Sequence, residues 1–173
     1  MQIRHMAQVG LFAALGCVCA WLAVPVGDIA ITMQTFCVFL TLELLGGKRG
    51  TLAIFIYLLL GAVGLPVFSG FRGGLGALLG VTGGYLVGFL ATGLIYWLIT
   101  AVSPKRRLMG LLAGLAGCYL FGTLWFRFGY LQGASPMGML AIIAKCVLPY
   151  LIPDLCKLAL AWYLAQKLKR FVY

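Results

Sequence analysis

Acidic side chains are almost absent from this chain of 173 residues: only Asp28, Glu43 and Asp154 carry a carboxylate, and His5 is its one histidine. Paired catalytic carboxylates, a Ser/His/Asp set and an acidic metal site are therefore excluded. No phosphate-binding loop with its lysine is present either. Any ATP-driven step would need a separate ATPase subunit, and an enzyme is not expected. Charge is scarce as well, at 9% of residues, against about 25% in soluble domains. Interruptions of the apolar runs are few, and alternation of apolar and polar residues is missing, which disfavours a membrane β-barrel. The six cysteines all lie inside apolar runs. Cys17 and Cys19 form only a C-x-C pair, so the cysteines read as small packing residues, without a disulfide framework or a metal site.

What is present in quantity is hydrophobicity. Apolar residues make up 64% of the chain, and the mean hydropathy is +1.09. A soluble domain of this size could not bury so much apolar surface. The composition specifies an integral membrane protein. A spanning helix takes about 20 residues, so six would use roughly 120 and leave about 50 for connections. One all-α, six-transmembrane-helix bundle over residues 1–173 is expected, as a single membrane-embedded substrate-binding domain. The spans fall at about 6–24, 33–45, 51–64, 84–102, 108–126 and 137–168. The first run is long enough to cross a membrane, so it reads as a span and not as a cleavable signal. Pro25, Gly27 and Asp28 end it. Pro149 and Pro153 predict a kink or a re-entrant start in the last span.

Thirteen lysines and arginines stand against the three acids. They lie in short clusters between apolar runs and not along one amphipathic face, so nucleic acid is not an expected partner. With both termini in the cytoplasm, nine of these bases fall inside (Arg4, Lys48, Arg49, Lys105, Arg106, Arg107, Lys167, Lys169 and Arg170) and only Arg72 and Arg127 outside. This is the bias of cytoplasmic loops. The stretch from Leu65 to Tyr85 is rich in glycine but apolar between its glycines. Irregular backbone at membrane depth survives only where it is buried or lines a cavity, so this stretch reads as a packed cover over one.

Ionisable groups at membrane depth mark function by default. Asp154 and Lys157 are spaced i, i+3 and share one helix face. They either neutralise each other or form a polar site in the bundle, with Asp154 accepting donors and Lys157 meeting an anion. Gln34 and Thr35 open the second span, as helix caps or as neutral partners for a polar ligand. Glu43 is expected to pair with Lys48 or Arg49, and Lys145 to snorkel outward. Phe36, Phe68, Phe71, Tyr85, Tyr150 and Trp162 are candidate walls of an apolar pocket.

Several segments in this order resemble the BioY family, the biotin-binding S components of energy-coupling factor (ECF) transporters. They are Thr32-Met33-Gln34-Thr35-Phe36, Gly46-Gly47-Lys48-Arg49-Gly50, the run Tyr57 to Phe68, Gly80-Val81-Thr82-Gly83-Gly84-Tyr85 and Pro153-Asp154-Leu155-Cys156-Lys157. One position departs from the pattern: Val81 stands where proline is common. The resemblance implies the S-component fold and high-affinity biotin capture in a bacterial or archaeal cytoplasmic membrane. It implies no cofactor beyond the ligand biotin. A transmembrane coupling subunit and two ATP-binding-cassette ATPases are the implied partners, and action without that module, as a homo-oligomer, is also compatible with it. The implied substrate site comprises Asp154, Lys157, Gln34, Thr35, Thr82, Gly83, Gly84, Tyr85 and Phe68. In it Lys157 either donates to the ureido oxygen or pairs with the carboxylate. The small-x-x-x-small pairs Gly10/Ala14, Ala13/Cys17 and Gly16/Ala20 are the implied surface for the coupling subunit. The alternatives are an S component for thiamine or riboflavin, and a non-transporting structural membrane subunit.

Overall fold

The computed structural model describes residues 3–26, 29–130 and 139–172. Gly27, Asp28 and the 131–136 part of the expected fifth loop lie outside the described residues, as does the expected start of the last span. Helix α1 (Ile3–Trp21) leads into a two-stranded antiparallel hairpin, β1 (Ala23–Val26) and β2 (Ile29–Thr32). The all-α expectation is corrected here: Ala23-Val24-Pro25-Val26 and Ile29-Ala30-Ile31-Thr32 carry the β-branched residues that suit a pleated ribbon. Pro25, opposite Ala30, is tolerated because a two-stranded ribbon has open edges. The first span accordingly ends at Trp21 and not at Val24.

Helix α2 (Gln34–Ala62) contains one non-helical residue, Gly46, at φ 77° and ψ 171°. That left-handed backbone is cheap only for glycine, and it reverses the chain. A Cβ at Gly50 would lie 3.1 Å from Leu42 Cα, an approach impossible along a straight helix with its 1.5 Å rise per residue. Residues 34–45 and 47–62 are therefore two antiparallel helices joined at the bend. The first half is buried along almost its whole length, because α1 (Ile3–Trp21), the second half, α4 (Gly83–Val102) and α7 (Leu148–Val172) all pack on α2. Its unbroken apolar run, Cys37 to Leu45 apart from Thr41 and Glu43, follows from being enclosed on every side.

The glycine-rich stretch contains the short helix α3 (Leu75–Leu79) and precedes α4. Helix α5 (Arg107–Trp125) continues into a π-helical turn, Phe126–Tyr130. The last span divides into α6 (Met139–Cys146) and α7. The break falls at Val147, two residues before Pro149, and α7 carries Pro153 within it. The described residues thus carry seven α-helical elements, α1 to α7, with α2 bent at Gly46. Four of them are long and apolar enough to cross a membrane, as expected of a multi-pass integral membrane protein.

Lys48 and Arg49 at the bend, Lys105 and Arg106 between α4 and α5, and Lys169 late in α7 share the end remote from the β-hairpin. Gly47 closes on Trp97 near the end of α4, and Lys169 reaches Glu43 at 2.9 Å. The expectation for Glu43 is corrected: its partners are Lys169 and the Tyr96 hydroxyl at 2.8 Å. Glu43 points into the bundle, where the bases of the bend do not follow it.

Candidate substrate site

A cavity of about 740 Å³ opens at the hairpin end of the bundle. It falls in the size range of small-molecule pockets. It is lined by the first turns of α2 and α7, by α4 and α5, by the end of α1 and the β-hairpin, and by residues 68–82 as its cover.

The polar part of the wall is a connected cluster. Lys157 Nζ lies 2.8 Å from Asp154 Oδ1, one helical turn away on α7. Thr35 donates its hydroxyl to the same Oδ1 at 2.8 Å and accepts from Lys157 at 3.3 Å. Tyr119 on α5 donates to Asp154 Oδ2 at 2.6 Å. Asp154 is 5% exposed, so an unpaired carboxylate there would be costly. A carboxylate offers about four acceptor positions and an ammonium three donors. Three donors meet Asp154, and Lys157 spends two of its own. Among the described residues Oδ1 takes Thr35 and Lys157 and Oδ2 takes only Tyr119. By this count one acceptor position on Oδ2 and one donor on Lys157 are unused, on two residues that line the cavity.

Thr32 takes over the helix-capping task considered for Gln34 and Thr35. It accepts from the Gln34 backbone N–H at 3.3 Å and donates to Gln34 Oε1 at 2.9 Å. Gln34 Nε2 in turn donates to the Tyr57 hydroxyl, which donates to the Val67 carbonyl at 3.2 Å. A hydrogen-bonded chain thus runs from the cavity wall to the start of the cover. Phe68 anchors the cover: it is 2% exposed, meets Tyr57 edge-on at 5.7 Å and sits over Gly61, where any Cβ would collide with its ring.

Of the residues expected at the site, Asp154, Lys157, Gln34, Thr35, Thr82, Tyr85 and Phe68 line the cavity. Thr82 makes no side-chain capping bond at the start of α4. Gly83 and Gly84 are not among the lining residues. They begin α4 where a Cβ would strike the Leu78 carbonyl and the Trp125 ring respectively, so their part is close packing. Among the aromatic candidates, Phe71 and Tyr150 line the cavity with Phe68 and Tyr85, whereas Phe36 and Trp162 pack against the core. Tyr119, Trp21 and Arg72 also line the cavity and were not singled out from the sequence as site residues. Tyr119 sits in an apolar helix with no charged neighbour within a turn to mark it. The small-residue pairs of α1 are also divided: Ala13, Gly16, Cys17 and Ala20 are buried within the chain, Gly16 against Tyr57, while Gly10 and Ala14 face outward.

The comparisons with known proteins agree with this architecture. The family model described as "BioY family" matches residues 1–173. The chain belongs to the BioY family. Among its relatives, a biotin transporter BioY of Thermotoga maritima is 38% identical over 170 residues, covering 97% of each chain. A probable biotin transporter BioY of Pyrococcus horikoshii is 39% identical over 171 residues, covering 98% of each. Among solved structures, the S-component for biotin from an ECF-type ABC transporter superimposes with a TM-score of 0.83. That match covers 97% of this chain and 92% of the other, at 23% identity. The two chains therefore share their fold although most side chains differ.

Proposed function

We propose that this chain captures biotin at the cavity and serves as the substrate-specific S component of an ECF-type ABC transporter. The observation that carries the reading is the Asp154–Lys157 ion pair in the cavity wall, whose bonds to Thr35 and Tyr119 leave one acceptor position on Asp154 and one donor on Lys157 unused. A ureido group, which presents an N–H beside a carbonyl, complements that pair. Biotin then lies with its ureido ring against Asp154, Lys157 and Thr35. Tyr85 and Phe68 flank its apolar ring, and its carboxylate points to Arg72 at the mouth.

The membrane arrangement follows from the bend at Gly46. Counting residues 34–45 and 47–62 separately, and α6 with α7 as one, yields six alternating crossings with both termini on the basic, cytoplasmic side. The cavity then opens to the exterior of the cytoplasmic membrane. The coupling subunit and two ATPases supply the ATP-driven step. On α1, Gly10 and Ala14 are the small residues left for the coupling subunit after Ala13, Gly16, Cys17 and Ala20 are taken by packing inside the chain.

The test is equilibrium binding of biotin by the purified protein in detergent. Wild type binds, Asp154→Asn and Lys157→Ala bind at least tenfold more weakly, and thiamine and riboflavin do not compete. Full binding by both variants would refute the site, and competition by another vitamin would refute the ligand.

A further inference from the structure

Phe71 has a backbone that its side chain disfavours. Its φ is +57°, and it is the one non-glycine residue in the left-handed region among those described. It follows Gly70, at φ +71°. The two form the tip of a tight reversal closed by the Phe68 N–H donating to the Arg72 carbonyl at 2.9 Å. Two consecutive left-handed residues are the pattern of a type I′ turn, in which glycine and asparagine are at ease. A bulky side chain there is strained.

Burial does not offset that strain, because Phe71 is 65% exposed. The left-handed turn does, however, place its ring at the cavity mouth. There it stacks on Trp21 with centroids 5.2 Å apart and planes at 26°. Trp21 is held in turn: its indole N–H donates to the Pro66 carbonyl at 2.9 Å. Both rings line the cavity, yet they come from different elements, the end of α1 and the cover.

From this strained, exposed and ligand-facing ring we infer that Phe71 and Trp21 form an aromatic clamp across the mouth, which sets how long the bound molecule stays. Backbone strain at functional positions is the expected signature of such a role. An aromatic pair of this geometry adds to the barrier that the leaving ligand must cross. The inference rests on the reading of biotin as the occupant.

The experiment measures release of radiolabelled biotin from the purified full chain after a chase with unlabelled biotin. It also measures the unfolding temperature without ligand. Phe71→Asn and Phe71→Leu both remove the ring, but only asparagine relieves the left-handed strain. Both are expected to release biotin about fivefold faster than wild type, and Phe71→Asn to unfold at a higher temperature than Phe71→Leu. Trp21→Leu is expected to match them, and combining it with Phe71→Asn to add less than twofold. Release within twofold of wild type in the Phe71 variants, or independent multiplication of the two effects, would overturn the clamp. Equal unfolding temperatures of the two Phe71 variants would overturn the strain on which it is argued. Failure of the wild type to bind biotin strikes the reading of the ligand, whereas normal binding with unchanged release strikes the clamp alone.

Discussion

Lys169 and Glu43, separated by 126 residues, form an ion pair of 2.9 Å at the end of the bundle remote from the cavity. The Glu43 side chain is fully buried and that of Lys169 is 19% exposed. The pair joins the late turns of α7 to the central helix, and the Tyr96 hydroxyl holds the second carboxylate oxygen. Removing one partner strands a buried charge, at a cost of about 3–5 kcal/mol. Lys169→Met should therefore lower the unfolding temperature markedly. The double variant Glu43→Gln/Lys169→Met should recover most of the loss, because Gln still accepts from Tyr96. Thermal unfolding of the three proteins checks this, and a double variant less stable than Lys169→Met would contradict it.

Tyr119 holds Asp154 from the α5 side. Tyr119→Phe removes the only donor to Oδ2 among the described residues and frees the carboxylate to turn. Hydrogen bonds to charged groups contribute about 1.5–3 kcal/mol, so biotin affinity should fall about tenfold or more. Calorimetric titration measures this. An unchanged affinity would mean that the Tyr119 hydroxyl contributes nothing to the site.

Gly61 admits Phe68 to the core. Gly61→Ala should displace the ring and loosen the cover, destabilising the protein by about 1–3 kcal/mol. Combining it with Phe68→Leu, which removes the colliding ring edge, should restore part of the stability. Unfolding temperatures of the single and double variants decide the point; no recovery in the double variant counts against this packing account.

Arg72 lines the mouth with its side chain exposed. If it receives the carboxylate of biotin, Arg72→Gln should weaken biotin binding about fivefold, as expected for an exposed charge pair of up to about 1 kcal/mol. It should leave the affinity for biotin amide, which lacks the charge, unchanged. Competition assays with the two ligands measure the difference. Equal losses for both would place the carboxylate elsewhere.

Much of the site was legible in the chain because it rests on local features. Asp154 and Lys157 are one turn apart in an otherwise apolar helix, and glycine spacing marks the cover. The β-hairpin was readable in principle from the alternation of Val24, Val26, Ile29 and Ile31 on either side of the Gly27-Asp28 pair in the sequence, but it sits between runs apolar enough to be absorbed into helices. Gly83 and Gly84 illustrate the opposite error. A motif marks them as important, yet only the approach of Trp125 and of the Leu78 carbonyl reveals that the reason is packing.

Composition and periodicity alone determined that this chain is a helical membrane protein, that its bases gather at one end, and that Asp154 with Lys157 is the charge pair to examine. These properties depend on the cost of moving polar groups into an apolar medium, a cost set residue by residue. The tertiary structure alone decided which groups meet across the bundle. Glu43 found Lys169 and not its near neighbours, Asp154 gained Tyr119 and Thr35, and Trp21 met Phe71. Such pairings depend on how separated helices are brought face to face, through the reversal at Gly46 and the packing around residues 34–45, and sequence separation does not encode that distance.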